Sequence, residues 1–331
     1  MKSFISYAIK VVITLGLLFA IFHKIGAASI ITQFRKLPVG SVLLCVILAF
    51  LQQWVVASRF SRVVELCGGY LSPRRSLRLC IESMFFSQAF ISLLGGDIFR
   101  AWRLRSSGLL PVDIARAVIF DRLNALFLNH LLLVLVVLPV LPLISDREIA
   151  LGIVIIALGG LVGLAALIVV GMVIDRVRDL APVQRVTERS RAVAAALDIA
   201  VVGRLFVKGR RSIGISLFSL IGALINCILI LLLLIGMEVP MKIALACALL
   251  TPLMVEISVL PISIAGWGLR EGAAGFLFGA VGLDTERAVT ASVAFGLLAL
   301  LVGIVGGVLW LLDHFDLKGT SAAAESPPVG E

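Results

Sequence analysis

The chain alternates long apolar runs with short charged breaks. Apolar stretches cover 5–25, 39–57, 113–144, 149–174, 213–237 and 287–312. Each is long enough to cross a hydrocarbon core of about 30 Å as a helix. The first run, interrupted by Lys10, precedes the small residues Gly26-Ala27-Ala28, as a signal peptide would. Its length favours a retained first span. The pattern predicts an all-α polytopic membrane protein with about six full spans.

Two further apolar stretches do not read as plain spans. The stretch 79–97 carries Glu82, Ser83, Ser87 and Gln88 and closes on Gly95-Gly96-Asp97. The stretch 243–282 carries Thr251, Pro252 and Glu256. It is broken by Pro261, Gly266, Gly268 and Gly272, with Arg270 and Glu271 beside the break. A charged side chain at mid-bilayer costs about 2.5–3.5 kcal/mol. Backbone freed from helical bonding persists at that depth only inside protein or beside a wet cavity. Both stretches are therefore expected to be re-entrant helical hairpins.

The two stretches also align with each other. At one constant offset Ile91 falls on Ile262, Ser92 on Ser263 and Gly95 on Gly266. In the same register Asp113 falls on Asp284 and Arg116-Ala117-Val118 on Arg287-Ala288-Val289. Asp113 is expected to cap the helix that follows it. Counting crossings from either side of the 175–211 segment gives the halves opposite topology. The expected organisation is two inverted-topology repeats, 1–174 and 212–313, with the basic linker 175–211 between them. Broken helices meeting near the midplane of opposed repeats are a transporter architecture. The tail, 314–331, is rich in Ala, Ser and Pro and is expected to be disordered.

Composition agrees with a membrane location. The hydrophobic fraction is 60% and the mean hydropathy +1.13, well above soluble domains. The net charge of +9 lies in loops flanking apolar runs, which points to the positive-inside rule rather than to nucleic acid. The segment 59–78 is basic and reads as a cytoplasmic loop with a helix along anionic headgroups. The linker holds nine Lys and Arg against four acids. It is placed in the cytoplasm, as are both termini, in a cell (plasma or inner) membrane. The five cysteines show no metal-ligand spacing, and His23, His130 and His314 lie far apart. No metal or cofactor is expected.

The candidate chemistry lies at the breaks. Broken helix ends favour an anion, and Arg100, Arg103, Arg122 and Arg270 add full charge suited to phosphate. Asp97, Asp121, Glu256 and Glu271 are candidate partners that would offset the desolvation of those arginines. The competing reading for each charge is a structural ion pair or a snorkelling side chain, and for Arg103 and Arg105 it is the stronger one.

Gly95-Gly96-Asp97-Ile98-Phe99-Arg100-Ala101-Trp102, then Asp121-Arg122, then the stretch from Pro261 to Gly272 resemble the paired motifs of the lysylphosphatidylglycerol synthase transmembrane-domain family. The resemblance covers about residues 5–315. It implies inverted repeats, re-entrant helices and flippase-like movement of a lipid headgroup between leaflets. By motif match, Gly95, Gly96, Asp97, Arg100, Asp121, Arg122, Gly266, Gly268, Arg270 and Glu271 would line the headgroup path. The implied partners are membrane lipids, an anionic phospholipid or a polyprenyl-phosphate-linked substrate. Asp121-Arg122 departs from the Glu-Arg often found in the family. The soluble synthase domain has no counterpart in the 331 residues, so this chain alone is not expected to attach an amino acid to a lipid. Two other roles stay open. One is an accessory partner of a separately encoded lipid-modifying enzyme or glycosyltransferase, with homo-oligomerisation also open. The other is a membrane-embedded transferase, which the lack of an Asp-x-Asp motif disfavours.

Overall fold

A computed structural model describes residues 27–89, 94–105, 108–178, 201–260 and 262–324, with Ser190 and isolated positions before residue 27. The expected first span at 5–25 falls mostly outside these residues, as does most of the linker, and 90–93 falls wholly outside them. Ten α-helices follow in order among them: α1 Ala27–Lys36, α2 Val39–Leu66, α3 Pro73–Ala89, α4 Leu94–Leu104, α5 Pro111–Val140, α6 Arg147–Arg178, α7 Arg210–Gly236, α8 Met241–Val259, α9 Leu269–Ala280 and α10 Thr285–Ala324. The described residues contain no strand.

Proline and glycine mark the helix ends. Pro73 and Pro111 occupy first helical positions, where a missing N–H costs nothing. Gly68 and Gly282 take left-handed φ of 93° and 89° just past α2 and α9. The chain then folds back, with Gly69 N–H on Val64 O at 3.0 Å and Leu283 N–H on Phe278 O at 3.1 Å. Asp284 caps α10, accepting from Arg287 N–H at 2.9 Å. Asp113 is not the cap expected of it. Pro111 starts α5 two residues earlier, and Leu110 is the cap residue. Asp113 instead pairs with Arg116 at 3.0 Å, as Asp284 pairs with Arg287 at 3.5 Å.

Six helical segments are long and apolar enough to cross a membrane: Val39–Leu66, Pro111–Leu143, Arg147–Val173, Arg210–Gly236, Met241–Val259 and Thr285–Asp313. The protein is a multi-pass membrane protein. Met241–Val259 is among the six, although the residue pattern read this stretch as an arm of the second hairpin. α3, α4 and α9 have 17, 11 and 12 residues, fewer than the roughly 20 that a typical span uses. α4 packs back on α3, and α9 on α8. α2 runs through Leu66, so Arg59 and Arg62 sit on its helix rather than in the expected loop.

α7 is central, packing on α2, α5, α8 and α10, while α3 lies along α10. The core between them includes Leu133, Ile230, Leu234, Leu250, Met254 and Phe278, all fully enclosed. α6 is peripheral, with Leu151, Ile155, Val162 and Val169 exposed. An apolar helix exposed this way suits a lipid-facing position.

Candidate functional site

The first break places its charges against α2 and α5. Asp121, in the third turn of α5, accepts from Arg59 Nε at 2.7 Å and Nη2 at 3.0 Å. It also accepts from Arg100 Nη1 at 3.1 Å. Arg100 turns its other terminal nitrogen to Asp97 one helical turn before it. Asp97 in turn takes Arg122 Nε at 2.6 Å. The five side chains form one chain, Arg59–Asp121–Arg100–Asp97–Arg122. Arg59, Asp97, Arg100 and Asp121 are buried. The Arg122 side chain is 36% exposed. Three guanidiniums against two carboxylates leave one positive charge in the group. A buried polar network extends from it, with Arg59 Nη1 on Ser219 Oγ at 3.3 Å and Ser219 Oγ on Asn124 Oδ1 at 2.5 Å.

A cavity of about 290 Å³ opens beside this cluster. Arg59, Arg100, Asp121 and Arg122 line it on one side, with Gln52, Gln53 and Ser87. Phe295, Leu298 and Val302 of α10 form an apolar wall. Two buried polar atoms of its lining residues, Arg100 Nε and Gln52 Oε1, have no hydrogen-bond partner among the described residues. The residues around the cavity thus combine cationic, neutral polar and apolar surface, the mixture that receives an amphiphile.

Gly95 and Gly96 lie in the first turn of α4, not in a loop. Gly96 is needed for closeness: a Cβ there would stand 2.6 Å from Ser83 O on α3. Neither glycine nor Asp97 lines the 290 Å³ cavity. Gly95 lines a shallow apolar pocket with Phe86, Phe99 and Trp102.

The second break has a different build. Ala265, Gly266 and Gly268 take φ of 51°, 78° and 82°, and Thr14 Oγ1 accepts from Ile264 N–H at 2.9 Å. Glu271 reaches back to Gly268 N–H at 2.6 Å, capping α9. Its other oxygen accepts from Arg270 Nη2 at 2.9 Å and from Ser292 Oγ at 3.1 Å. The Arg270 guanidinium stacks over Trp267 at 4.9 Å and faces Phe295 at 6.0 Å. Gly296 makes room for it, since a Cβ there would stand 2.0 Å from Arg270 Nη2. Arg270 and Glu271 are both buried, balanced in charge and outside the cavity lining. Phe295 stands between them and the cavity. The ten residues singled out from the sequence thus form two separate clusters.

Two further clusters were not foreseen. Arg78 and Arg103 share Glu82 and Asp313, with Arg78 Nε on Glu82 at 2.9 Å and Arg103 Nη2 on Glu82 and Asp313 at 3.0 and 3.1 Å. This ring ties α3 and α4 to α10, which gives Arg103 a structural role. Glu256, expected beside an arginine, meets His130 Nδ1 at 2.7 Å instead. Arg59 was missed because its stretch reads as a basic loop. Its one available signal was its helical spacing within the apolar run before it.

Fold and site together define a polytopic helical membrane protein with a cation-rich internal cavity. Compared with models of known protein families, residues 7–307 match the family described as Lysylphosphatidylglycerol synthase TM region, and the chain belongs to that family. The match is to the family's membrane region. None of the curated proteins compared with the chain matches it.

Proposed function

We propose that this protein moves an anionic amphiphile, an anionic phospholipid or a lipid-linked phosphate, between leaflets. The phosphate would lie against Arg122, Arg100 and Arg59 while the acyl chains follow the α10 wall. The observation that carries this is the excess positive charge of the Arg59–Asp121–Arg100–Asp97–Arg122 group at the wall of a 290 Å³ cavity. Arginine pairs with phosphate in two parallel hydrogen bonds, and its carboxylate partners hold the site while it is unloaded.

In this reading α3 with α4 and α8 with α9 are re-entrant pairs from inverted repeats. The first pair supplies Arg100 to the headgroup, beside Asp121 and Arg122 from α5; Asp97 holds Arg100 and Arg122 in place, and Gly95 and Gly96 allow the close helix approach. The second pair, through Gly266, Gly268, Arg270 and Glu271, supplies a rigid hinge beside the path. The basic linker, and with it both termini, belongs on the cytoplasmic face of the cell membrane.

The test is translocation of fluorescent phosphatidylglycerol in proteoliposomes, read by quenching of the outer leaflet. Wild-type protein is expected to expose inner-leaflet lipid to the quencher. Arg122→Ala is expected to slow this at least about tenfold, since a charge-assisted hydrogen bond contributes roughly 1.5–3 kcal/mol. Wild-type rates in both Arg122→Ala and Arg100→Ala would sink the reading.

A further inference from the structure

Asn129 and His130 come from the first half of the chain and Glu256 from the second, and they meet between α5 and α8. His130 Nδ1 lies 2.7 Å from Glu256 Oε1. Asn129 Nδ2 donates to the same oxygen at 2.7 Å and to Pro252 O at 2.9 Å. The side chains of His130 and Glu256 are only 13% and 10% exposed. α6 accommodates the ring with Gly160, where a Cβ would stand 1.9 Å from His130 Nε2. Val255, next to Glu256, and Ala125, one turn before Asn129, both line the 290 Å³ cavity. The pair therefore sits behind the cavity wall, on the seam between the halves.

Ionisable groups within spans are costly, and chains of acids and histidines there mark proton routes. The other charged clusters pair carboxylates with arginine, which holds its proton at all relevant pH. This pair differs, because one proton decides its charge. Imidazolium with carboxylate is neutral overall, and imidazole with carboxylate carries one negative charge.

Leu126 O also lies 3.2 Å from His130 Nδ1, but among the described residues no other charge competes for that proton. On α5 the nearest charges are Asp121 and Arg122, two turns away and engaged by Arg59 and Asp97. α6 carries no charge between Glu148 and Asp175, and the only charges of α7 are Arg210 and Arg211 in its first turn. Cys227 of α7 packs in an apolar cluster with Leu132 and Ala248. On α8 the other titratable groups are Lys242, at the start of the helix, and buried Cys247. α9 brings only Arg270 and Glu271, which hold each other. α2 brings Arg59, held by Asp121, the buried Cys45 at mid-helix, and Arg62 and Glu65 near its end.

We propose that His130 and Glu256 form a proton-binding site that couples proton movement to rearrangement of the two halves around the cavity. The cargo of that rearrangement rests on the translocation reading above; the proton site rests on the geometry of the pair. With the proton bound, the ion pair clamps α5 to α8. With it released, the clamp loosens, and α8 leads directly into the left-handed turn at Ala265 and Gly266. One N–H bond forms on uptake and breaks on release, and the proton passes between the pair and water on either side.

The chain has three histidines, so His23→Asn and His314→Asn assign the signals of ¹⁵N-histidine NMR on protein in lipid nanodiscs. His130 is expected to change protonation state across the titrated range, and Glu256→Gln is expected to change that titration. In proteoliposomes, an imposed pH gradient is expected to speed fluorescent phosphatidylglycerol movement severalfold. Glu256→Gln and His130→Asn are both expected to lose that response. The coupling is overturned if His130 keeps one protonation state across the range, or if either folded variant responds like wild type. Lipid movement that ignores the gradient in wild-type protein also overturns it, and leaves translocation standing. Gradient-driven proton uptake, seen with a trapped pH dye and abolished by Glu256→Gln, but with no lipid movement, supports the proton site and sinks the translocation reading.

Discussion

Arg59 and Asp121 stand 62 positions apart, and two hydrogen bonds of 2.7 and 3.0 Å join them in a parallel, buried fork. This fork fixes α2 against α5 and orients Asp121 so that its second oxygen also takes Arg100. The cluster at the cavity wall is built on it.

Asp121→Ala strands two buried guanidiniums and is expected to cost about 3–5 kcal/mol. Arg59→Met with Asp121→Leu replaces the fork by apolar groups and is expected to recover most of that loss, though not lipid movement. Thermal unfolding of the detergent-solubilised proteins checks this. A double variant less stable than Asp121→Ala would contradict it.

Arg122 and Arg270 are expected to separate function from folding. Arg122→Ala leaves Asp97 bound to Arg100 and should shift stability by less than about 1 kcal/mol, as for a partly exposed pair, while lipid movement is lost. Arg270→Ala leaves Glu271 buried without its cation and should cost about 3–5 kcal/mol. Melting temperature and translocation rate, measured on the same preparations, distinguish the two.

Gly306 carries the contact between α10 and α3. An added Cβ would stand 2.1 Å from Ile81 O, a backbone atom that cannot swing away. Gly306→Ala is expected to cost about 1–3 kcal/mol or more by overpacking. Gly272→Ala is the control, with nothing within 4 Å of its Cβ position. It should be neutral or stabilising by about 0.5–1 kcal/mol. Equal melting temperatures for the two variants would refute the close packing.

Gly266→Ala meets both a φ of 78° and Ser258 O at 2.8 Å. Strain of this kind costs on the order of 1–3 kcal/mol. The expected outcome is a lowered melting temperature together with slower lipid movement, because the turn carries α8 into α9.

Cys67 ends α2 at the basic loop and is the one cysteine that is not buried among the five free thiols. Burial first, and then Asp113, push its thiol up to about 11. A raised value means less thiolate at neutral pH. Labelling by an impermeant maleimide is therefore expected to be slow at pH 7 and to rise roughly tenfold per pH unit, levelling near pH 11. Labelling only from the side of the basic linker is also expected, and labelling from the opposite side would reverse the topology.

The order of residues was enough for the membrane class, most of the spans, and the glycine break before Arg270 and Glu271. Hydropathy is a local property, so a run such as Arg210–Gly236 declares itself without its neighbours. The pairings were not legible in the same way. Arg59 reads as a loop residue until α5 is packed beside it, and Arg270 reads as a headgroup contact until Glu271 and Gly296 enclose it. Glu256 acquires His130 as its partner only once α5 lies against α8. Gly95 and Gly266 match in register, yet one sits in a helix and the other in a left-handed turn. Which carboxylate meets which guanidinium, and where a cavity is left open, depends on helices brought together from distant parts of the chain. Only packing settles that, because Coulomb attraction and close contact act over a few ångströms of space, whatever the distance along the sequence.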